Sequence, residues 1–454
     1  MKRLVPFAFA AALAFPLGAA PPSDGVARLL AYLRIDTSNP PGNEKKGALF
    51  LKSILDAAGI ASELDEPAPG RASLYARLTG SGAGPALLLH HHLDVVPAGR
   101  AGWRSAPFAA EEEGTRVTAR GALDDKALGL AELEAFLALR GRPLRRDVVY
   151  LATADEEAGG ALGLASVAAR RPAWLAGVGF AIGEGGETET VVETQRLFGV
   201  EVAQKSALWL RLSASGLPGH SASPDPANAP ARLARLLGDL VSRKRPLVVS
   251  PLVADALATT AKVKPKDLAD LLRSVRARAE KDPDSLRTLL TPRFLALVTD
   301  TLVITRLGPE DGAPNAVPAV AFADVDCRLL PSTDLRAFLD EVRRRASAER
   351  VDVSVRLEAS AGPPSPTPGA LYDVIAAVLS RRFPGVLVVP TLGTGTSENR
   401  VLRARGVATY GVLPFRASVY DLRGIHGVNE RIRTDWYLEG VELMKEIVAR
   451  FAAR

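Results

Sequence analysis

The chain has 454 residues, of which 47% are hydrophobic and 24% are charged, a balance typical of a soluble globular protein with room for two domains. The formal net charge of +6 is small, and the basic residues are scattered over helical segments without interleaved aromatic residues, which argues against nucleic-acid binding. The single cysteine, Cys327, excludes an internal disulfide and any cysteine-rich metal site. Any metal ion must therefore be held by histidine, aspartate and glutamate.

The N-terminus has the pattern of a secretory signal peptide. Lys2 and Arg3 precede an apolar run at 4–17 and small residues at 18–20. The run is short for a bilayer and contains two prolines, so a membrane anchor is the weaker alternative. The sequence predicts a signal peptide over residues 1–20, no stable membrane anchor, and a mature protein that is periplasmic or secreted.

From residue 24 to about residue 186, helical and strand patterns alternate. Helical periodicity covers 25–34, 45–58 and 126–140. Short apolar runs at 85–92, 147–153 and 178–183 are typical of buried strands. This alternation predicts a layered α/β domain.

The pattern changes near residue 206. A half-buried strand at 207–214 is followed by helices at 229–242 and 266–280 and by strands at 300–306, 319–328 and 351–358. After a proline-rich turn, a helix at 370–382, a strand at 386–390 and a helix at 436–451 resume the first pattern. The prediction is one discontinuous α/β domain, 21–206 with 361–454, and an inserted α+β domain, 207–360.

Polar residues with metal-binding chemistry follow the predicted strands. His92 and Asp94 end a strand on one face, where the carboxylate can orient the imidazole, although a buried polar strand end is an equal alternative. His90 shares that face and His91 points the other way, so both are expected to pack or support. Asp124 precedes a helix, where an N-cap is the simpler interpretation.

Further acids and histidines lie at other strand ends and loops. Three consecutive acids, 155–157, repel each other unless a cation or solvent is near, and Glu184 follows the next strand. His220 and His426 lie in glycine-flanked loops, where a lone histidine is usually just exposed. Sites form at the carboxyl ends of strands in α/β sheets, so the combination favours a metal site.

The order of these motifs resembles the zinc exopeptidase and amidohydrolase family of aminoacylase, acetylornithine deacetylase, succinyl-diaminopimelate desuccinylase, glutamate carboxypeptidase and carboxypeptidase S. The resemblance covers nearly the whole mature chain. It rests on these runs: His92-Leu-Asp-Val-Val-Pro, Arg120-Gly-x-x-Asp-Asp-Lys, Asp155-Glu-Glu, Glu184-Gly, Gly219-His-Ser-Ala-x-Pro, Asn315-Ala-Val-Pro, Asp326-Cys-Arg-Leu-Leu-Pro and His426-Gly-Val-Asn-Glu.

The resemblance implies a site for two zinc ions, with cobalt or manganese ions as alternatives. Asp124 would bridge the two metals. His92 and Glu184 would complete one coordination sphere, and Glu157 and His426 the other. A bridging carboxylate offsets the repulsion between two cations, and oxygen with imidazole ligands suits zinc.

The resemblance also implies catalytic and substrate-binding roles. Glu156 would be the general base, and Asp94 would orient His92. His220 would stabilise the oxyanion, reaching in from the inserted lid domain, often from the second subunit of a homodimer. Asn315 would lie near the substrate, and Arg400 would bind its carboxylate.

The expected reaction is hydrolysis of an amide bond, in a small peptide or an N-acyl-amino acid, next to a free carboxylate. The helical insertion at 255–299 makes the chain most similar to the carboxypeptidase S and N-acyl-amino-acid hydrolase branch. Alternatives are an aminopeptidase of the related co-catalytic zinc type, a non-catalytic peptide-binding protein, and a structural cation site. Two departures from the family pattern stand out: His91 replaces a small residue, and Ser397-Glu398 replaces Thr-Asp.

Overall fold

The computed structural model describes residues 24–99, 101–223, 225–309 and 313–454. The predicted signal peptide, 1–20, lies outside these residues. The strands in chain order are β1 (Ser62–Ala68), β2 (Arg71–Leu78), β3 (Ala86–His92), β4 (Glu111–Glu113), β5 (Arg116–Thr118), β6 (Val148–Thr153), β7 (Val178–Gly183), β8 (Glu187–Val191), β9 (Thr194–Gln204), β10 (Ser206–Ser215), β11 (Gly219–His220), β12 (Thr301–Gly308), β13 (Ala316–Val317), β14 (Val320–Leu329), β15 (Asp352–Ala359), β16 (Leu387–Gly393), β17 (Ala408–Gly411) and β18 (Arg431–Arg433).

The α-helices in chain order are α1 (Gly25–Leu33), α2 (Glu44–Ala57), α3 (Lys126–Leu137), α4 (Leu164–Arg170), α5 (Ala229–Ser242), α6 (Pro251–Thr260), α7 (Lys266–Lys281), α8 (Pro283–Leu289), α9 (Pro292–Ala296), α10 (Leu335–Ala348), α11 (Ala370–Arg382), α12 (Asn399–Arg403), α13 (Val419–Leu422) and α14 (Thr434–Ala452). None of the helices in the described ranges is both long and apolar enough to cross a membrane.

A mixed central sheet forms the larger α/β layer, with strand order β1-β2-β6-β3-β7-β17-β9-β16 and β8 paired to β9. The strands β6, β3, β7 and β17 are parallel to one another. Every residue of β3 and of β6 is buried, which is why β6 and the first four residues of β3 are almost entirely apolar. The predicted layered α/β class is confirmed.

Helix α3 packs between the central sheet and the C-terminal helix α14. Ten of its twelve residues are buried, which matches its Ala- and Leu-rich composition. His91 points from β3 into this layer, and its ring occupies the space that a side chain at Gly129 would need, since a Cβ there would lie 2.2 Å from the ring. Gly129 therefore allows a buried histidine beneath the helix.

A second, antiparallel sheet lies in the inserted segment, with strand order β12-β14-β10-β15. Alternate β10 residues Leu208, Leu210 and Leu212 face helices α5 and α10 and form a separate hydrophobic cluster. The residues between them, Trp209 and Arg211, face the other way. This sheet therefore has one apolar face covered by helices and one polar face turned to the α/β layer.

Helices α6 and α7 share a hydrophobic cluster with the end of β9 and with β16. Helix α6 contacts β16, the edge strand of the central sheet, and Val253 and Leu257 share a buried cluster with Ala203 and Leu392. The sequence predicts that residues 255–299 belong to the inserted lid domain, and that assignment stays a prediction. The apolar face of α6 covers a sheet edge that would otherwise be exposed.

Candidate metal centre

The predicted metal-binding side chains meet at one edge of the central sheet. Strand β3 ends at His92, β6 is followed by Glu156 and Glu157, and β7 is followed by Glu184. The three strands are adjacent and parallel, with β3 between β6 and β7. Their carboxyl ends therefore coincide, as expected for a site in an α/β sheet.

Asp124 lies between two histidines. Its Oδ1 is 3.0 Å from His92 Nε2, and its Oδ2 is 3.1 Å from His426 Nε2. His426 Nε2 is also 3.1 Å from Glu157 Oε2, and His92 Nε2 is 3.8 Å from Glu184 Oε2. Each oxygen of one carboxylate thus faces a separate His–Glu pair, which is the donor arrangement of a bridged pair of metal ions.

Asp125 is part of the same cluster, which the sequence prediction missed. Its carboxylate lies within 4.8 Å of ligand atoms of His92 and Glu184. Asp125 occupies the N-cap position of α3 but makes no capping hydrogen bond through its side chain, and its buried Oδ2 has no partner among the described residues. The acid at the start of α3 therefore does not cap the helix with its side chain.

The pKa shifts of the acids and histidines in this cluster fit a site for cations. Burial, together with the charges of Glu157, Asp94 and Glu398, raises the pKa of Glu156 well above its usual value. Burial and the charges of neighbouring acids likewise raise the pKa of Glu184. Hydrogen bonds to Asp124 and Glu157 raise the pKa of His426 to about 10. Crowded buried acids with two imidazoles are a donor set that divalent cations neutralise.

Asp94 holds the two halves of the site together. Its Oδ1 is 3.4 Å from His92 Nδ1 and accepts a hydrogen bond from the Glu156 backbone N–H at 3.1 Å. Its Oδ2 accepts from the Glu157 N–H at 3.1 Å and from Asn39 Nδ2 at 2.8 Å. One buried carboxylate therefore orients a histidine and fixes the turn that carries two glutamates.

The turn after β6 begins with a strained residue. Asp155 has φ 70° and ψ 13°, a left-handed conformation that is uncommon for a residue with a side chain. Its carboxylate accepts hydrogen bonds from Arg71 at 2.5 Å, from Asn39 at 3.1 Å and from the Leu162 N–H at 2.9 Å. These bonds hold the conformation that directs Glu156 and Glu157 away from the strand.

Glu430 binds the loop that carries Asp124. It ends the His426-Gly-Val-Asn-Glu motif, but this role could not be predicted from the sequence. Its buried carboxylate accepts hydrogen bonds from the backbone N–H groups of Gly121, Leu123 and Asp124 at 2.7–3.0 Å. It also accepts from Arg120 Nη1 at 2.8 Å. Four donors converge on one side chain, so Glu430 sets the position of the loop that carries Asp124.

We expect Glu430→Gln to destabilise the metal-free protein by about 3–5 kcal/mol, because it leaves Arg120 buried without its charge partner. Denaturant unfolding of the metal-free protein measures this change. Glu112→Gln, an exposed glutamate, is the control and should leave the free energy of unfolding unchanged within about 0.5 kcal/mol. Equal stability of the two variants would contradict the support assigned to Glu430.

A cavity of about 760 Å³ separates the cluster from the second sheet. One wall carries Asp124, Glu156, Glu157, Glu184 and His426. The opposite wall is the polar face of the second sheet. The cavity therefore places the cluster against a space large enough for a small substrate.

Arg400 and Glu398 also line the cavity. Arg400 Nη2 donates to Gly159 O at 3.2 Å, while its buried Nε has no hydrogen-bond partner in the part of the chain that the structure describes. Glu398 accepts hydrogen bonds from Thr153 Oγ1 and from the Leu164 N–H, both at 2.5 Å. Glu398, which replaces the Asp of the family pattern, therefore stabilises the loop beside the site through these hydrogen bonds. Arg400 stays in the cavity wall.

His220 and Asn315 do not join the cluster within this chain. Both are exposed, and neither lines the cavity. They lie beside each other, since β11 pairs with β13 and the Ser221 N–H donates to Asn315 O at 3.0 Å. His91, which replaces a small residue of the family pattern, is fully buried on the opposite face of β3 from His92. It cannot compete for a metal ion there.

The fold, the carboxylate–histidine cluster and the cavity define a metal-dependent hydrolase. The sequence profile described as peptidase family M20/M25/M40 matches residues 88–450. The chain belongs to this family.

Aminoacylase-1 of Mus musculus is 27% identical over 433 residues, covering 93% of this chain and 94% of that protein. The M20 family metallo-carboxypeptidase Sso-CP2 from Sulfolobus solfataricus has the same fold, with a TM-score of 0.72, 19% identity, and coverage of 94% of this chain and 98% of that one. The Bacillus subtilis YXEP protein, described as a dinuclear metal binding peptidase, has a TM-score of 0.58, 13% identity, and coverage of 94% and 98%.

Proposed function

We propose that the protein hydrolyses an amide bond, in a peptide or an N-acyl-amino acid, next to a free carboxylate. One observation carries the proposal: Asp124 joins two His–Glu pairs while Glu156 lines the same cavity and accepts no hydrogen bond from the described residues. A free carboxylate beside a bridged metal site is what a general base requires.

We infer that the site takes two zinc ions, with Asp124 between them, His92 and Glu184 on one side, and Glu157 and His426 on the other. Imidazole and carboxylate ligands suit zinc, and the structurally similar YXEP protein is a dinuclear metal binding peptidase. When bound, the two ions polarise the amide carbonyl and make water more acidic. Metal analysis of the purified protein decides between zinc, cobalt and manganese.

The chain's own groups supply the proton transfers. Glu156 accepts a proton from the attacking water and passes it to the leaving amine nitrogen, so one carboxylate acts first as base and then as acid. Burial of Glu156 raises its pKa, which favours the protonated form that the second step needs. Asp94 holds His92 and the turn that carries Glu156 in fixed positions during both proton transfers.

The test is hydrolysis of dipeptides and N-acyl-amino acids by metal-reconstituted protein, each with a free and with a blocked C-terminus. Chelator-sensitive turnover of the free carboxylates alone is the expected result. Turnover that requires a free amino end would favour the aminopeptidase alternative. Binding of these compounds without turnover would favour a binding protein, and purified protein that holds calcium but no transition metal would favour a structural cation site.

We propose that Arg400 binds the substrate carboxylate. Its unpartnered buried Nε and its place in the cavity wall support this role, since a guanidinium binds a carboxylate in bidentate fashion. Arg400→Ala should raise KM for free-carboxylate substrates by about tenfold or more and change kcat much less. Steady-state kinetics measure both, and an unchanged KM would remove Arg400 from the substrate site.

We also propose a homodimer in which His220 of one subunit serves the other subunit's site. The exposure of His220 and Asn315 outside the cavity supports this arrangement. Glu156→Gln and His220→Ala should each be inactive alone, yet after subunit exchange a mixture should recover about a quarter of the activity, because half of the dimers then contain one complete site. Recovery near zero in exchanged dimers would exclude this sharing.

Export remains a prediction from the N-terminal residues. We propose that cleavage near residue 20 releases the mature enzyme to the periplasm or the medium. N-terminal sequencing of the protein from cell fractions checks this, and a cytoplasmic protein that retains Met1 would contradict it.

A further inference from the structure

The cavity wall opposite the metal centre carries more positive charge than its own acids balance. Three arginines of the second sheet line it, Arg211, Arg328 and Arg356, with two aspartates, Asp324 and Asp326. Arg211 binds Asp324 through two hydrogen bonds of 2.7 Å, and Arg328 Nε lies 2.9 Å from Asp326 Oδ1. Each aspartate is therefore paired with one arginine, although Asp326 Oδ1 and Arg328 Nη1 are buried without a hydrogen-bond partner among the described residues.

Arg356 has no such hydrogen-bonded partner among the described residues, although its positive charge helps to lower the pKa of Asp324. It is exposed at the cavity wall, and within the described ranges it forms no ion pair or hydrogen bond. Strand β15 is irregular at this point: Leu357 pairs with Trp209, while Val355 pairs with Leu210, so Arg356 is the extra residue of a bulge. Bulges redirect a side chain and are common beside functional sites.

A second free donor lies next to it. Trp209, the cross-strand neighbour of Leu357, lines the cavity, and its indole N–H is buried without an acceptor among the described residues. A buried donor without a partner costs free energy unless a ligand supplies an acceptor. Arg356 precedes Leu357 in β15, Trp209 pairs with Leu357 from β10, and all three residues line the cavity. A guanidinium and an indole N–H in one wall with an apolar side chain suit a carboxylate at the end of a short apolar chain.

The subsite also adjoins the catalytic turn. A Cβ on Gly159, two residues after Glu157, would lie 3.1 Å from Leu357 Cδ1, so β15 reaches the loop that carries the glutamates. A group bound at Arg356 thus occupies the same cavity as the amide to be cleaved. Arg400, by contrast, belongs to the α/β layer and is proposed above for the other carboxylate.

We propose that Arg356 and Trp209 form a second anion subsite, which selects substrates whose acyl group, or the residue on the acyl side of the cleaved bond, ends in a carboxylate. This inference rests on the proposed amide hydrolase function and names its substrate class. Water adds across the amide bond, and the products are a dicarboxylic acid and a free amino acid. The subsite adds specificity and takes no part in bond cleavage.

The test compares N-glutaryl- and N-pentanoyl-derivatives of one amino acid, which differ in the terminal carboxylate. Wild-type metal-loaded protein should prefer the glutaryl substrate in kcat/KM by about tenfold or more, and Arg356→Gln should lose that preference. Arg356→Lys should retain part of it, while Arg344→Gln, an exposed arginine on α10, should leave the ratio unchanged. Thermal unfolding of each variant verifies folding.

Two results would overturn the subsite: equal turnover of both substrates by wild-type protein, or an unchanged ratio in Arg356→Gln. Either leaves the amide hydrolase function standing. If neither substrate is cleaved, isothermal calorimetry compares the affinities of glutarate and pentanoate for the metal-loaded protein. That comparison tests the subsite without turnover. Tighter glutarate binding that Arg356→Gln abolishes would support the subsite and place the failure in the proposed function, whereas equal binding would overturn the subsite as well.

Discussion

Glu156→Gln should bind metal as the wild type does and lose turnover by about 10²- to 10⁴-fold. The amide has the same shape but cannot accept a proton from water, and Glu156 is outside the five-residue ligand set. The backbone N–H that donates to Asp94 at 3.1 Å is unaffected by the change, so the turn keeps its position. Metal content by elemental analysis and kcat with an N-acyl-amino acid measure the two effects separately.

The control for this experiment is Glu112→Gln, the same change at an exposed residue of β4. It should leave both metal content and kcat unchanged. Full activity of Glu156→Gln would disprove the general-base role, and loss of metal from it would mean that Glu156 is a ligand. The pair of measurements therefore separates proton transfer from metal binding.

The parts of the fold with strong local patterns were predictable from sequence. Helices α5 and α11 have the predicted limits, and β7 does as well, because amphipathic periodicity or an apolar run with clear flanks determines them locally. Strand β17 was not predicted, since four residues carry too little pattern. The contact of helix α6 with β16 could not be predicted, because β16 lies more than 100 residues away in the chain.

The same contrast holds for the site. The ligand-type residues could be found because they follow strands or lie in glycine-flanked motifs. Asp125 and Glu430 could not be assigned, because their roles depend on which backbone N–H groups and imidazoles reach them in space. The position of His220 outside the cavity could not be predicted either, since it depends on the pairing of β11 with β13.

Asp94→Asn should weaken metal binding by about 10- to 100-fold, because His92 loses the negative charge that lies 3.4 Å from its Nδ1. It should also lower kcat, which a loss of metal affinity alone would not do at saturating metal. The substituted amide has one acceptor atom for the Glu156 and Glu157 N–H groups, which the two carboxylate oxygens now serve separately at 3.1 Å each. The turn that carries Glu156 and Glu157 therefore loses one of its two hydrogen bonds to residue 94.

Asp147→Asn is the matched control for this change. Asp147 precedes β6 at the end of the sheet opposite the metal centre, where its carboxylate accepts from Arg77 at 3.0 Å and from the Gly80 N–H at 2.8 Å. Its replacement should cost stability but leave metal affinity unchanged. Metal titration followed by kcat at saturating metal distinguishes the cases: if Asp94→Asn matches Asp147→Asn in both, Asp94 contributes only to folding. A deficit in kcat that persists with the site filled would assign Asp94 the second role, holding Glu156 in place.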